Sequence, residues 1–274
     1  MRDRIVVYTA LYGERDDLKD PLMPQDDCSF VCFTDSKNLV SDVFDVRVYP
    51  RINFDPVRCA RFFKLLPHLF FQDYEYSIWI DGSVLIKRAG LNGLVEKHLH
   101  DSDIAMFRHS ERDCVYDEGF ACISCGIDSS LTINDQLNRY RNEGYPSHNG
   151  LVATGIILRR HSSPDVIRAD TDWWNEVVRG SYRDQLSFNY VAWKNNLNFE
   201  TIDGKIEDSQ YFKVLNHAKT NPTPPGTQYD RDLFFQNRIS SLETKIDALN
   251  NSLSLRVGRR IPFGKKMRKL FDKH

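Results

Sequence analysis

Residues 76–87 read YSIWIDGSVLIK, an apolar and aromatic run that stops abruptly at Asp81, Gly82 and Ser83. Tyr76 to Ile80 has the β-branched and aromatic content of a buried strand. Asp81 then sits where that strand leaves its sheet, and Gly82 can permit a tight turn there. In open α/β sheets, ligands bind in the crevice beyond the carboxyl ends of the strands. A carboxylate in that place can hold a divalent cation, and the cation a diphosphate. Equally, it can be a turn Asp bonded to its own backbone.

The flanking segments alternate strand with helix. Residues 5–9, 29–33 and 46–49 read as strands, and 56–66 as a helix with Pro56 at its start and Pro67 at its end. Residues 91–99 are the next helix and 103–107 the next strand. This order predicts a mostly parallel sheet with helices on its faces. Further along, 117–125 and 131–143 read as helices, the second capped by Asp128, Ser129 or Ser130. Residues 150–158 form another buried strand, 164–178 and 184–193 helices, and 199–202 a short strand.

Three prolines and a glycine in 221–229 (NPTPPGTQY) mark a linker that closes a body of residues 1–220. Beyond it Phe235, Ile239, Leu242, Ile246, Leu249 and Leu253 are spaced 4-3-4-3-4, the a/d seam of a coiled coil. The seam is short, so a helix over 230–255 either oligomerises through 235–253 or packs back on the body. A homo-oligomer is the expectation.

The net charge of −1 conceals an asymmetry. Arg256, Arg259, Arg260, Lys265, Lys266, Arg268, Lys269 and Lys273 face Asp272 alone in the last nineteen residues, so a mildly acidic body carries a basic tail, 256–274. Bulky apolar residues mixed with those charges suit an anionic membrane surface. The other readings are a solvated end and a nucleic-acid partner, and no recognised nucleic-acid module accompanies the tail. No apolar run approaches a membrane span, and the charged N-terminus does not read as a signal peptide. The expectation is a cytoplasmic protein, peripheral at the inner face of the cell membrane. The six cysteines then read as reduced core residues, and Cys122-x-x-Cys125 with Cys114 is at best half of a zinc site.

There is no GxGxxG, P-loop, GxSxG or HExxH motif. Ordinary dinucleotide oxidoreductases, P-loop kinases, α/β-hydrolases and zincins are thereby set aside. Four clusters remain. Thr9 and Tyr12 follow the opening strand, where a loop receives a nucleobase. Asp35 ends the next strand, placed to accept from a base N–H or a ribose hydroxyl. Arg58, Arg61 and Lys64 lie at i, i+3 and i+6 of one helix, which suits either phosphate oxygens or a solvated basic face. Asp81, Gly82 and Ser83 form the fourth.

In order along the chain, YTALYG (8–13), CFTD (32–35), RCARFFKLLPH (58–68), YSIWIDGSVLI (76–86), HSERDCVYDE (109–118), GLVATGIILRRH (150–161), RDQLSF (183–188) and NHAK (216–219) resemble the nucleotide-sugar-dependent glycosyltransferases of GT-A fold. More narrowly, they resemble the TOD1/MUCI70-type glycosyltransferase-like family, formerly a domain of unknown function. The resemblance implies a GT-A-like α/β domain that moves a sugar from a nucleoside diphosphate sugar to a glycan or lipid-linked acceptor, in surface polysaccharide or glycan assembly.

It also implies roles. GT-A enzymes hold Mn²⁺ or Mg²⁺ through an Asp-x-Asp; here Trp79 stands where the first Asp falls and Asp81 matches the second. His217 matches a late metal-ligating His. Asp184 falls where the fold places an acid near the acceptor, a general base unless it is a helix N-cap. Glu118 and Asp117 are rival acids, and His109 and Arg112 line the sugar pocket. Thr154 and Gly155 lie in a strand where Gly allows close ligand approach.

Two other classes compete. IDGSVL is similar to the strand-end motif of haloacid-dehalogenase phosphatases, but Trp79 occupies the nucleophile's position. A non-catalytic nucleotide-sugar or glycan-binding scaffold at the membrane is the alternative to the enzyme.

Overall fold

The computed structural model describes residues 3–14, 16–51, 54–207 and 209–215. His217, the linker, the heptad segment and the basic tail lie outside the described residues. The core of the body is a seven-stranded sheet in the order β3-β2-β1-β4-β7-β6-β8. β1 (Ile5–Leu11), β2 (Cys28–Thr34), β3 (Asp45–Val48) and β4 (Tyr76–Ile80) make a parallel block. β7 (Val152–Arg159) runs antiparallel between β4 and β6 (Ile104–Arg108), and β8 (Glu200–Ile202) is parallel to β6. The predicted mostly parallel α/β sheet is what forms. A second sheet of two short strands, β5 (Val84–Ile86) and β9 (Phe212–Val214), was not foreseen, because three residues carry no readable period.

Both faces of the sheet are covered, so its strands are apolar almost throughout. On β1, Val6, Tyr8 and Ala10 enter one core and Ile5, Val7 and Leu11 the other, the period of two expected of a strand. The first core is closed by α1 (Pro56–Leu65), α3 (Val115–Ser124), α4 (Ser130–Asn142), α5 (Pro164–Arg179) and α6 (Phe188–Asn195). The second is closed by α2 (Leu91–His98) with Phe44, Ile206 and Phe212.

Helix starts follow the capping chemistry. Asp55 accepts from the Val57 and Arg58 amides, both at 3.0 Å, ahead of Pro56. Ser129 is the cap of α4, accepting from the Thr132 amide. The expected helix over 184–193 is broken into a 3₁₀ turn, Asp184–Leu186, and then α6. The Asp184 carbonyl is taken by the Trp173 indole N–H at 2.8 Å, the Ser187 amide at 3.1 Å and the Ser187 hydroxyl, so it is not used in an i→i+4 ladder.

Candidate active site

Asp81 is placed by the sheet. It follows β4 directly, and its amide donates to the Gly155 carbonyl on β7 at 2.8 Å. Its carboxylate is then fixed through one oxygen only. The Trp79 indole donates to Oδ1 at 2.7 Å, the Lys64 ammonium at 3.1 Å, and Arg61 lies 3.5 Å from the same atom. Oδ2 has no hydrogen-bond partner among the described residues, and the side chain is 29% exposed. A Cβ at Gly155 would stand 3.5 Å from Oδ2, so the missing side chain there keeps space open beside it.

Lys64 itself is held from behind. Its carbonyl, in the last turn of α1, accepts from Tyr8 on β1 and Arg159 on β7, both at 2.9 Å, and Arg159 is anchored on Asp170 at 2.7 Å. Its ammonium, with none of the side chain exposed, lies 2.6 Å from Asp184 Oδ2 and 5.4 Å from the centre of the Trp79 ring. Arg61 Nε lies 3.0 Å from Asp184 Oδ1. Two carboxylates and two cations thus form one compact group behind the strand end. Burial would raise the Asp184 carboxyl, but Arg61 and Lys64 outweigh it and hold the group well below the usual carboxylate range. Burial and Arg61 pull the Lys64 ammonium below its ordinary value, while Asp184 and Asp81 oppose that.

A second group adjoins the first. Buried Glu118 accepts from Arg112 Nε at 2.7 Å and from Gln185 Nε2 at 2.9 Å, with Arg183 at 3.5 Å and His109 Nε2 at 3.7 Å. His109 Nδ1 accepts the amides of Glu111 and Arg112, which leaves its proton on Nε2, and burial pushes the ring's pKa down. Arg183 joins the two groups: Glu118, Asp184 and Asp81 all act on its charge, and its Nε is buried without a hydrogen-bond partner among the described residues.

The expected residues divide accordingly. Asp81, Arg61, Lys64, Asp184 and Gly155 come together, as do Glu118, His109 and Arg112. Arg58 does not join them. Three residues six positions apart turn through well over one helical circuit, so Arg58 faces away. It binds the Val177 and Gly180 carbonyls at 3.0 and 2.7 Å and Asp55 at 2.7 Å, fastening α1 to the end of α5. Tyr12 is likewise corrected: it is buried, stacked on Phe63 and bonded through its hydroxyl to the Tyr49 carbonyl, so no face is left for a base.

Thr9 belongs to β1 rather than to the loop after it; its buried Oγ1 has no partner among the described residues, and it lines a small space with Ile80, Asp81 and Gly82. Asp35 accepts from the Gly13 amide at 3.3 Å and pairs with Arg51. Gly82 serves close approach rather than a left-handed turn: a Cβ would fall 2.6 Å from Leu11 Cδ2, and its carbonyl accepts from Lys19 at 2.7 Å. Ser83 and Thr154 are buried beside the same strand ends. Asp117 lies on α3 next to Glu118 but points its carboxylate toward Cys114 and His148 instead. Arg183, Gln185 and the donor role of Trp79 carry no sequence signal of their own; within RDQLSF only Asp184 is legible as a candidate acid.

A separate cleft of about 500 Å³ opens at the start of α1, lined by Gly13, Asp55, Pro56, Val57, Arg58, Asp128 and Tyr182. Its wall includes Gly13, whose amide donates to Asp35.

Residues 1–217 match the family model described as TOD1/MUCI70, glycosyltransferase-like domain. The chain belongs to this family. A relative of this TOD1/MUCI70 chain is the probable hexosyltransferase MUCI70 of Arabidopsis thaliana, 27% identical over 214 residues. The match takes in 68% of this chain and 37% of that protein, so the chain spans little more than a third of the relative's length. Among solved structures, mouse xyloside xylosyltransferase 1 aligns over 74% of this chain and 86% of its own, at 10% identity and a TM-score of 0.41. The bifunctional glycosyltransferase WbbM aligns over 74% of this chain and 38% of its own, at 13% identity and a TM-score of 0.39.

Proposed function

We propose that this TOD1/MUCI70-domain protein transfers a sugar from a nucleoside diphosphate sugar to an acceptor hydroxyl on a glycan or a lipid-linked glycan. The observation that carries the reading is the half-free carboxylate of Asp81: one oxygen locked by Trp79, Lys64 and Arg61, the other open at the end of the central parallel block. In the reaction the bond from the anomeric carbon to the diphosphate oxygen breaks. The diphosphate leaves with the electron pair of that bond, a bond to the acceptor oxygen forms, and the acceptor's proton passes to water.

A divalent cation fits this arrangement as a companion of the donor. Mg²⁺ and its like are commonly held by one or two carboxylates plus substrate phosphates and water, and Asp81 Oδ2 supplies one such ligand. Bound there, Mg²⁺ or Mn²⁺ would neutralise charge on the leaving diphosphate. The chain's own cations supplement it. Lys64, Arg61 and Trp79 orient Asp81, and Arg183, whose buried Nε has no hydrogen-bond partner among the described residues, adds a cation 3.5 Å from Glu118. Asp184 is a positioning residue in this account: a buried carboxylate held ionised by two cations is a poor proton acceptor near neutral pH. Glu118, His109 and Arg112 form the sugar and acceptor side, and the cleft beside Gly13 takes the nucleoside. The basic tail would hold the enzyme at an anionic membrane surface.

A thermal-shift panel of nucleoside diphosphates with and without Mn²⁺ tests the reading. A ligand at 100 times its Kd stabilises by about 2.7 kcal/mol, about 5–10 °C for a domain of this size. One nucleotide should give that shift in wild type with Mn²⁺ and not in Asp81→Asn. Folded protein that responds to no nucleotide would make the chain a scaffold rather than a transferase.

A further inference from the structure

Cys114, Asp117 and His148 stand apart from the two groups described above, and their ligand atoms all lie within 4.8 Å of one another. We propose that they form a site for a zinc-class transition metal, separate from the cation carried by the donor.

The donor set suits that class. A thiolate, an imidazole and a carboxylate are the soft and borderline ligands that select zinc over magnesium or calcium, which prefer oxygen alone. Ligand atoms on a four-coordinate zinc lie about 3.3–3.8 Å apart, as bond lengths near 2.0–2.3 Å require, so the cluster closes on an ion once its atoms draw together by up to about 1–1.5 Å. Cys114 occupies the N-cap of α3, yet its side chain makes no capping hydrogen bond. Its sulfur is buried, while Asp117 and His148 are exposed, so the site has an apolar floor and an open mouth for a water ligand.

Behind His148 stands a carboxylate. Asp113 Oδ1 lies 2.8 Å from His148 Nδ1, the arrangement that fixes the tautomer of metal-bound histidines and raises their basicity. The four residues come from two stretches of chain: Asp113, Cys114 and Asp117 span the entry into α3, and His148 lies in the segment leading to β7. A bound ion would tie the start of the helix carrying Glu118 to the segment preceding Thr154 and Gly155. It would thereby fix both flanks of the candidate active site from outside, as a structural staple.

The test is Co²⁺ titration of the full chain after chelator treatment, read by absorption. Wild type should take one Co²⁺ per chain, with a thiolate-to-cobalt charge-transfer band and the visible bands of a four-coordinate ion, both removed by Zn²⁺. Cys114→Ser should lose the charge-transfer band, and His148→Ala, at a side chain 63% exposed and safe for folding, should lose stoichiometric binding. Asp113→Asn should weaken binding by about 10- to 100-fold. Cys125→Ser, whose thiol is exposed and outside the cluster, should leave the spectrum unchanged. Folded wild type with no charge-transfer band would overturn the proposal. So would a band that survives Cys114→Ser and His148→Ala, or one that disappears in Cys125→Ser.

Discussion

Lys64 has no exposed side-chain surface and touches two carboxylates, so its removal is the most informative single change in the body. Lys64→Met leaves Asp184 buried with Arg61 as its paired cation and Arg183 acting on it, and stripping a partner from a buried ion pair costs about 3–5 kcal/mol. Urea unfolding should show a loss near the lower end of that range, since Arg61 stays. His161 makes a second residue-level prediction. It is buried, donates from Nε2 to the Phe71 carbonyl at 2.8 Å, and burial lowers its pKa to about 4. The folded imidazole binds no proton between about pH 4 and 6.5, whereas the unfolded one does, so its contribution to stability is complete above 6.5 and lost as pH falls toward 4. Over that window His161→Gln should flatten the stability profile relative to wild type by about 2–3 kcal/mol, as read from unfolding at several pH values. At this scale the sequence showed which carboxylate ended the strand. It could not show that Trp79, in the place of a missing ligand, donates to that carboxylate, because a side-chain hydrogen bond two residues along a strand leaves no periodic trace.

Among the elements, β7 and α1 converge on the site, and each had been read in part. β7 was legible from its apolar run, yet its antiparallel insertion beside β4 was not, since both orientations present the same alternation. That insertion sets Gly155 against Asp81. Gly155→Ala would place a Cβ 3.0 Å from Ile206 Cδ1 and 3.5 Å from Asp81 Oδ2. Stability should fall by less than about 1 kcal/mol, because the end of one Ile side chain can move. Nucleotide affinity in calorimetry should fall by about tenfold or more, the equivalent of about 1.4 kcal/mol. Equal affinity in wild type and Gly155→Ala would remove Gly155 from the site. On α1 the spacing of Arg58, Arg61 and Lys64 was visible, but the helical turn sends Arg58 to α5 and the other two to Asp81 and Asp184. Arg58→Gln, which breaks the bonds to the Val177 and Gly180 carbonyls, should therefore lower thermal stability more than Gly155→Ala does, as read from thermal unfolding.

For the whole molecule, the chain divides into a unit of Met1–Asn221 and a unit of Pro222–His274. The family match ends at residue 217, close to that division. Residues 1–221 produced alone should unfold in one cooperative transition and bind the same nucleotide as the full chain. The tail answers to a different measurement. Its eight cations, worth about 1 kcal/mol each near an anionic surface at best, should give liposome binding that needs anionic lipid, weakens with salt and is lost on deletion of 256–274. The most direct test of the whole account is the release of nucleoside diphosphate from a set of nucleotide sugars by purified protein, followed by mass spectrometry for wild type and Asp81→Asn. One nucleotide sugar should be turned over by wild type and at least about 100-fold more slowly by Asp81→Asn, the scale expected when a group stabilising the leaving charge is lost. Release from none of them by folded wild type, or equal release by the variant, would contradict the assignment of Asp81 to the donor site.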